Sequence, residues 1–228
     1  MKLSLPLVVA AVFTPLVLFG QEKESLFNGK DLSGWDGDPR LWSVVDGVLV
    51  GETDKAGKNV KKNTFLIWKG GEVGDFDFEM VARAEGNNSG VQYRSRVIDA
   101  DSWSVGGYQM DMHPKQEFLA MLYEEKGRGI TCQRGQKVVL EKGAKPKVTG
   151  KLPVPEVKLG EWNTYRIEAR GNVVKHFVNG ELAAEITDND PEKRSLKGVL
   201  AIQLHAGPAM KVEVKSIRLQ QLETDGKE

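Results

Sequence analysis

The chain has 228 residues, and its 32 basic and 32 acidic side chains give a formal net charge of zero. This balance excludes the broad basic field that nucleic-acid binding requires, so no nucleic-acid partner is expected. The single cysteine, Cys132, excludes an intramolecular disulfide and a zinc site of several thiolates. We expect Cys132 to be a buried small apolar side chain, with a catalytic thiol as the alternative.

The first 20 residues have the pattern of a cleaved secretion signal. Lys2 precedes an apolar run that contains Pro6 and Pro15, and Gly20 ends this run before a polar stretch. A membrane-spanning helix needs about 20 uninterrupted apolar residues, so the two prolines argue against an anchor. No cysteine lies near Gly20 to carry a lipid. The sequence therefore predicts a secreted or periplasmic protein without a membrane span, with a single domain over residues 21–228.

Alternation of apolar and polar residues dominates the rest of the chain. It predicts strands over residues 75–84, 91–97, 108–112, 164–169, 173–178, 181–186, 199–206 and 212–222. Asn179-Gly180 predicts a hairpin turn, and a change of parity between Val214 and Ile217 predicts a bulge. Residues 26–50 read as edge strands and turns, and the Lys-, Pro- and Gly-rich residues 141–160 as an exposed loop. Many strands without a sustained helix indicate an all-β fold, an antiparallel β-sandwich of jelly-roll type.

Three of the predicted strands each carry a pair of polar residues opposite their apolar set. The pairs are Gln92/Arg94, Gln109/Asp111 and Gln203/His205. Because residues two apart on a strand share a face, we expect Arg94, Asp111, Gln203 and His205 to emerge together above one cleft. Amides, a carboxylate and a guanidinium suit sugar hydroxyls and carbonyls. The alternative is an ordinary solvated face, since the outer face of an antiparallel sheet is polar by default.

Several side chains near this face could carry chemistry. His205 is the first candidate for a general base, because the unperturbed pKa of histidine lies near neutrality. The alternative is a structural histidine that bonds a turn. His113 shares a face with Asp111 but lies beside Pro114. Asp111 could be a base, a hydroxyl clamp or a metal ligand, and Glu125 could supply a second carboxylate.

Two further features remain open from the sequence. Trp103 lies in a polar loop, where we expect its ring to be exposed at a site and able to stack on a sugar. Asp99, Asp101 and residues 188–190 are rich enough in oxygen for calcium, although turn formation accounts for them equally well. No cofactor is otherwise expected.

A series of short motifs runs in order through residues 25–222. They are SLFNGKDLSGW (25–35), DFDFE (75–79), NSGVQYRS (88–95), GYQMD (107–111), LYEEKGRG (122–129), EWNTY (161–165), VNG (178–180) and GVLAIQLH (198–205). In this order they resemble the 3-keto-disaccharide hydrolase domain family, formerly a domain of unknown function. The resemblance implies a jelly roll of the concanavalin A-like lectin/glucanase type. It also implies an exported bacterial enzyme that acts on a carbohydrate, a 3-keto-glycoside.

The resemblance also implies a role for the positions that match the polar motifs of the family, which are Arg94, Gln109, Asp111, Tyr123, Glu125, Gln203 and His205. Taken together with the polar face and the Trp103 loop described above, the catalytic candidates are His205, Asp111, Glu125 and Arg94. The substrate-binding candidates are Gln109, Gln203, Tyr123, Gln92, Glu79, Trp103, Arg128 and His113. Some relatives carry an acid at the position of Gln109, so this chain has one carboxylate fewer there. The alternatives are a non-catalytic carbohydrate-binding module on the same fold and a glycosidase that acts on unoxidised glycans.

Overall fold

The computed structural model describes residues 22–53 and 60–223, and the signal sequence predicted over residues 1–20 lies outside these ranges. The strands of the described residues are β1 Glu24–Ser25, β2 Trp35–Asp36, β3 Trp42–Val45, β4 Val48–Thr53, β5 Thr64–Trp68, β6 Phe76–Glu85, β7 Ser89–Asp99, β8 Ser104–Met112, β9 Leu122–Glu125, β10 Gly129–Cys132, β11 Gln136–Leu140, β12 Lys147–Lys151, β13 Asn163–Arg170, β14 Val173–Val178, β15 Glu181–Asp188, β16 Val199–Leu204 and β17 Met210–Gln221. One 3-10 turn spans Gln116–Phe118. Within the described ranges, no helix is long and apolar enough to cross a membrane.

The strands form two sheets. The larger sheet has the order β12-β11-β15-β14-β13-β6-β17-β4-β3, with β1 paired to β17. The smaller sheet has the order β10-β9-β8-β7-β16-β5-β2. Neighbouring strands run antiparallel, apart from the parallel pair β11 and β15. The fold is therefore an antiparallel β-sandwich of jelly-roll type, as the alternation predicts.

The core lies between the two sheets and is built from the predicted apolar sets. Phe76, Phe78 and Met80 of β6 are at most 1% exposed. Met110 of β8 and Ile202 of β16 face them from the smaller sheet and are equally buried. Burial of one such side chain stabilises the fold by roughly 1.5–3 kcal/mol. Because successive residues of a strand point to opposite faces, the residues between these apolar side chains point to the outer faces of the sheets.

The predicted hairpin turn and the predicted bulge are both confirmed. Asn179 and Gly180 have φ of 51° and 84°, and they connect β14 to β15. This is the positive φ that a two-residue hairpin turn requires. In β17 the register shifts between Val214 and Ser216, where the change of parity predicts a bulge. Cys132 is 1% exposed, and burial raises the pKa of its thiol to about 12, so the buried interpretation is confirmed.

The prediction of a loop over residues 141–160 is wrong in part. Lys147–Lys151 form β12, which pairs with β11 at the edge of the larger sheet. This strand has no apolar face, since four of its five residues are exposed. Edge strands are commonly protected by charged residues against pairing with other chains. Because its residues are mostly polar, β12 lacks the alternation of apolar and polar residues that predicts the other strands.

Parity is also wrong in the middle of β7. The register between β7 and β8 shifts between Tyr93 and Arg96, and Arg94 has a φ of 47°. Arg94 is therefore an extra residue in a bulge, and Ser95 takes the face of Gln92 in its place. Ser95 Oγ donates to Gln92 Oε1 at 2.6 Å. Gly107 lies opposite with a φ of 143°, and a Cβ there would come within 2.5 Å of Ser95 Oγ.

Beyond this bulge, the β7–β8 hairpin crosses the outer face of the smaller sheet. Its tip reaches β5, where Trp103 O accepts a hydrogen bond from Phe65 N at 3.1 Å. A second apolar cluster lies beneath the hairpin, with Val105 packed on Phe65 and Ala201. The outer face of the smaller sheet is therefore covered, and polar side chains on it are withdrawn from water.

Candidate functional site

The predicted polar residues of three strands meet on the outer face of the smaller sheet. Gln92 lies between Ala201 of β16 and Gln109 of β8, and Gln109 lies beside Tyr123 of β9. Asp111 lies two residues after Gln109 on the same face of β8, opposite Gly90 of β7. We call Gln92, Gln109, Asp111 and Gln203 the amide face. All four are at most 1% exposed.

The amide face is one chain of hydrogen bonds. Gln92 Nε2 donates to Gln109 Oε1 at 2.9 Å. Gln109 Nε2 donates to Asp111 Oδ1 at 2.6 Å and to Gln203 Oε1 at 3.1 Å. Asn88 Nδ2 donates to Asp111 Oδ2 at 3.2 Å. Both carboxylate oxygens are therefore held by neutral amides rather than by a cation.

The charge of Asp111 sets the direction of this chain. An ionised carboxylate only accepts hydrogen bonds, so Gln109 must present its Nε2 to Asp111. The second hydrogen of Gln109 Nε2 is donated to Gln203 Oε1, so the Gln203 amide must point its Nε2 away from Gln109. Among the described residues, Gln203 Nε2 and Asn88 Oδ1 are buried without a partner. A buried donor without a partner is costly and indicates a ligand or water at that position.

Gly90 provides the space for this arrangement. A Cβ at Gly90 would come within 2.7 Å of Gln109 Cγ and 2.9 Å of Gln109 Nε2. The missing side chain therefore allows the Gln109 amide to lie across the strand. From there it reaches Asp111 and Gln203 together.

Asp111 has the electrostatics of a proton acceptor near neutral pH. Burial raises the pKa of its carboxyl to about 7, and the negative charge of Glu125 contributes in the same direction. Hydrogen bonds from Gln109 and Asn88 oppose this shift. A base is most effective when its pKa lies near the working pH. The site therefore favours Asp111 over His205 as the base.

Glu125 and Tyr123 border the amide face on β9. Glu125 is 9% exposed, and its Oε2 accepts a hydrogen bond from Asn63 Nδ2 at 3.3 Å. Burial raises the pKa of the Tyr123 hydroxyl, and the charges of Glu125 and Asp111 add to the shift. Tyr123 is therefore a neutral hydroxyl at neutral pH. The two side chains offer a second carboxyl and a hydroxyl donor on the strand next to β8, opposite Gly107 and Gln109.

His205 lies at the end of β16 on the same side. Its Nδ1 is 2.6 Å from Ala206 O and 3.2 Å from Asn87 Nδ2. Continuation of the strand register from Ala201 and Gln92 places His205 opposite Asn88, the donor to Asp111. Both interpretations of His205 thus have support, because one ring nitrogen bonds the turn while the ring lies beside the site.

His113 lies beside this region but is held by its own loop. Its Nδ1 accepts a hydrogen bond from Lys115 N at 3.1 Å, and its ring packs on Phe118 at 4.9 Å between centroids. Burial and the charge of Lys115 lower its pKa. His113 is therefore a neutral ring fixed by local contacts.

Trp103 lines an open cavity of about 500 Å³ whose other walls include Leu41, Asn63 and charged residues such as Arg40. Its indole Nε1 donates to Asp36 Oδ1 at 3.0 Å, and the ring is partly buried rather than fully exposed. Asn63, the donor to Glu125, lines the same cavity. The cavity is therefore linked to Glu125 through the Asn63 amide.

Arg94 does not lie on the amide face, so the expectation of a shared cleft for it is wrong. Its Nε donates to Gly74 O at 2.9 Å, its Nη1 to Gly171 O at 2.6 Å and its Nη2 to Asp75 Oδ1 at 2.8 Å. The bulge turns the side chain to the edge of the sandwich, where it joins β7 to the larger sheet. We call Arg94, Asp75, Gly74 and Gly171 the Arg94 latch.

Two other predicted binding residues also lie elsewhere. Glu79 is on β6 of the larger sheet, opposite Arg166 and Arg218, and its carboxylate is 3.6 Å from Lys23 Nζ. Arg128 bonds the carboxylates of Glu124 and Asp188. Both side chains therefore have structural partners away from the amide face. Their motifs match the family, but the topology places them in other surroundings.

The structure adds residues that the alternation did not predict. Asn88 was visible only as part of a motif, Ser95 was expected on the apolar face, and Asn63 had no signal because it precedes a strand without polar alternation. The described residues contain no group of three or more metal-ligating side chains. Asp99 accepts hydrogen bonds from Asp101 N and Ser102 Oγ, as in a turn.

Fold and site together define the class of protein. It is an all-β jelly-roll sandwich whose smaller sheet holds a buried carboxylate among amides. The chain belongs to the 3-keto-alpha-glucoside-1,2-lyase-like domain family, whose model matches residues 22–220.

Solved structures of similar fold come from carbohydrate-active proteins. A proposed glycosyl hydrolase from Parabacteroides distasonis ATCC 8503 is 19% identical, with 89% of this chain and 100% of that chain covered at a TM-score of 0.58. Another from the same organism is 23% identical, with 89% and 94% covered at 0.57. The carbohydrate binding module CBM66 from Bacillus subtilis is 14% identical, with 81% and 95% covered at 0.52. At these identities the likeness shows the fold alone. Among proteins with curated descriptions, none matches this sequence.

Proposed function

We propose that this protein cleaves 3-keto-glycosides by elimination followed by addition of water, with Asp111 as the base. One observation carries the proposal: a buried carboxyl whose pKa is raised to about 7 shares the Gln109 amide with Gln203, whose Nε2 has no partner. A base and an oxyanion donor side by side are the two groups that enolate formation requires. Family membership supports a 3-keto-glucoside as the class of substrate in this proposal.

The ketone at C3 acidifies the hydrogen at C2. Asp111 takes this proton, and the electron pair forms an enolate whose oxygen accepts a hydrogen bond from Gln203 Nε2. The enolate collapses back to the ketone, a double bond forms between C1 and C2, and the glycosidic oxygen leaves C1 with a proton. Water then adds its hydroxyl to C1 and a proton to C2. The net reaction is hydrolysis, carried out by side chains of this chain and water.

Glu125 and Tyr123 are the candidates for the proton that the leaving oxygen takes. Tyr123 lies opposite Gln109 and Glu125 opposite Gly107 on β9, and Asn63 donates a hydrogen bond to the Glu125 carboxyl. His205 follows β16 beside Asn88, and we assign it to the water that adds at C1. Arg94 has no part in these steps, since its guanidinium nitrogens are bound in the Arg94 latch. Export completes the proposal and rests on the pattern of residues 1–20.

The experiment compares two chromogenic substrates, p-nitrophenyl 3-keto-α-glucoside and its unoxidised parent, in deuterium oxide. The expected result is release of p-nitrophenol from the keto substrate alone, with deuterium at C2 of the sugar product. A parallel reaction without enzyme corrects for exchange at C2. Release without deuterium at C2 contradicts the elimination, because direct displacement at C1 leaves that hydrogen in place.

The same panel distinguishes the two alternatives. Turnover of the unoxidised parent would favour a glycosidase for ordinary glycans. Saturable binding of the keto substrate by calorimetry, without turnover, would favour a non-catalytic carbohydrate-binding module. Either result would contradict the proposed function.

A further inference from the structure

His176 is a buried histidine that the proposed reaction does not use. It lies on β14 of the larger sheet and is 0% exposed. Its Nδ1 is 2.9 Å from Ala120 O, and its Nε2 is 2.8 Å from the Tyr93 hydroxyl. Burial lowers the pKa of the ring to about 4, so at neutral pH the ring is neutral and carries one proton. Because a carbonyl oxygen can only accept, this proton lies on Nδ1, and Nε2 accepts from the Tyr93 hydroxyl.

Ala120 connects His176 to the backbone of Asp111. It belongs to residues 113–121, the segment between β8 and β9. Ala120 N donates to Asp111 O at 2.8 Å, and Asp111 N donates to Met121 O at 3.2 Å. Two residues of the segment therefore lie opposite one residue of β8, which is the arrangement of a β-bulge. Both backbone polar groups of the proposed base are bound by this bulge.

The backbone conformation of Ala120 depends on its surroundings. Its φ is 60°, in the left-handed region that favours glycine. A residue with a Cβ persists there only where neighbouring contacts hold it. At the other end of the segment, Gln116 O and Oε1 accept hydrogen bonds from Arg134 Nη1 at 3.1 and 2.6 Å. The segment is thus fixed at both ends, and His176 fixes the end that contacts Asp111.

We infer that His176 is a positioning residue for Asp111: its Nδ1–H holds Ala120 in the left-handed conformation, and Ala120 fixes the Asp111 backbone. The inference rests on the proposed function and adds to it a residue that acts from the core of the sandwich. His176 takes no part in proton transfer, because both of its ring nitrogens are bound and the ring is 0% exposed. Its effect reaches the substrate only through the position of the Asp111 carboxyl.

The test compares variants that lose one or the other hydrogen bond of the imidazole. His176→Leu removes the donor to Ala120 O, and His176→Gln does so while its longer side chain still reaches the Tyr93 hydroxyl. His176→Asn keeps the donor to Ala120 O, because the asparagine Nδ2 replaces the histidine Nδ1. The matched control, Tyr93→Phe, removes only the hydrogen bond to Nε2. All four variants lose a buried hydrogen bond, so a purely structural role would affect them alike.

The measurements are kcat and KM for p-nitrophenyl 3-keto-α-glucoside and hydrogen exchange of the peptide that covers residues 111–121. A displacement of a catalytic group by about 1 Å can lower a rate by about 10²-fold. We therefore expect kcat to fall by about tenfold or more in His176→Leu and His176→Gln, with KM little changed. The amide hydrogens of the peptide should exchange faster in the same two variants. In His176→Asn and Tyr93→Phe, kcat and exchange should stay near the wild-type values.

Equal losses of kcat in His176→Gln and Tyr93→Phe, or a loss in His176→Asn as large as in His176→Gln, would overturn the inference. If His176→Leu does not fold, His176→Gln carries the comparison. If the wild-type protein does not turn over the keto substrate, the proposed function fails and hydrogen exchange alone decides. Faster exchange only in the variants without a donor to Ala120 O then supports the positioning role, and equal exchange in all variants overturns it.

Discussion

The Arg94 latch and the amide face each hold a buried charge on the same pair of strands. Arg94 is 1% exposed and has a partner for each of its three guanidinium nitrogens, one of which is a carboxylate. Asp111 is also 1% exposed, but it has only neutral amide donors, and two polar atoms beside it lack partners. Removing one side of a paired buried charge strongly destabilises a fold, whereas a buried carboxylate without a cationic partner is itself retained at a cost. We therefore assign a structural role to the Arg94 latch and a catalytic role to the amide face.

The largest expected effect is on activity in Asp111→Asn. Loss of the base should lower kcat for the 3-keto-glucoside by about 10³-fold, the middle of the range for general bases. The protein should remain folded, because asparagine keeps an oxygen for Gln109 Nε2. The control is Asp46→Asn, an exposed residue of the β3–β4 turn whose positive φ asparagine tolerates. Steady-state kinetics and circular dichroism check both variants, and full activity in Asp111→Asn would remove the base from the proposal.

The converse variant is Arg94→Met, which should affect stability rather than chemistry. Breaking a buried ion pair from one side costs about 3–5 kcal/mol, and two carbonyl groups also lose their donor. Arg96→Met, two residues away and exposed, should change the free energy of unfolding by less than about 0.5 kcal/mol. Urea denaturation measures both. A stable Arg94→Met protein without activity would contradict the structural role of Arg94 and indicate that it acts in the reaction.

The pH dependence of stability sharpens the comparison further. The native pKa of Asp111 is about 7 and the unfolded value is near 3.8, so between these values the native state holds a proton that the unfolded state releases. Stability from this group is therefore lost as pH rises from about 4 to 7, at up to about 1.4 kcal/mol per unit. Asp111→Asn should lack this loss, so its stability relative to wild type should rise over that interval. Urea denaturation at pH 4 and pH 8 tests the sign, and a constant difference would contradict the raised pKa.

The smallest expected effect is that of Gly90→Ala. The added Cβ would meet the Gln109 amide at 2.7–2.9 Å and displace it from Asp111 and Gln203. We expect kcat to fall about tenfold and stability to fall by about 1–3 kcal/mol, as for other overpacked sites. Gly150→Ala, beside the flexible Lys137 side chain, is the matched control. Kinetics that match the wild type would show that the position of Gln109 does not matter.

The sequence predicts the sandwich well because burial and strand parity are local properties. Apolar residues of β6, β8, β13 and β16 alternate without interruption, and the Asn179-Gly180 turn has a specific backbone requirement. Asp111, Gln109 and Gln203 were found for the same reason. Glu125 was a candidate as a second carboxylate and Tyr123 through the motif series, and pairing of β9 with β8 places them opposite Gly107 and Gln109.

The wrong predictions concern bulges and contacts between distant segments, which the alternation of residues along one strand does not reveal. Arg94 was assigned to the wrong face because one inserted residue in β7 leaves no mark in the composition of that strand. The burial of the amide face depends on the β7–β8 hairpin crossing the sheet, a contact between residues far apart in sequence. Asn63 enters the site only through that crossing and through its bond to the segment after β16. The order of strands in a sheet, which decides such neighbours, is a global property of the fold.

The bulge at Arg94 directs the side chains of two consecutive residues to different parts of the molecule. Arg94 points to the larger sheet and holds the sandwich together, while Ser95 points outward and supports Gln92. Deleting Arg94 would restore an even zigzag in which Ser95 still lies opposite Gly107, so the later residues of β7 would keep their faces. The loss would fall on the latch, because Gly74 O, Gly171 O and Asp75 would lose their donor. One residue outside the regular ladder thus connects the two sheets without changing which side chains of β7 face the reaction centre.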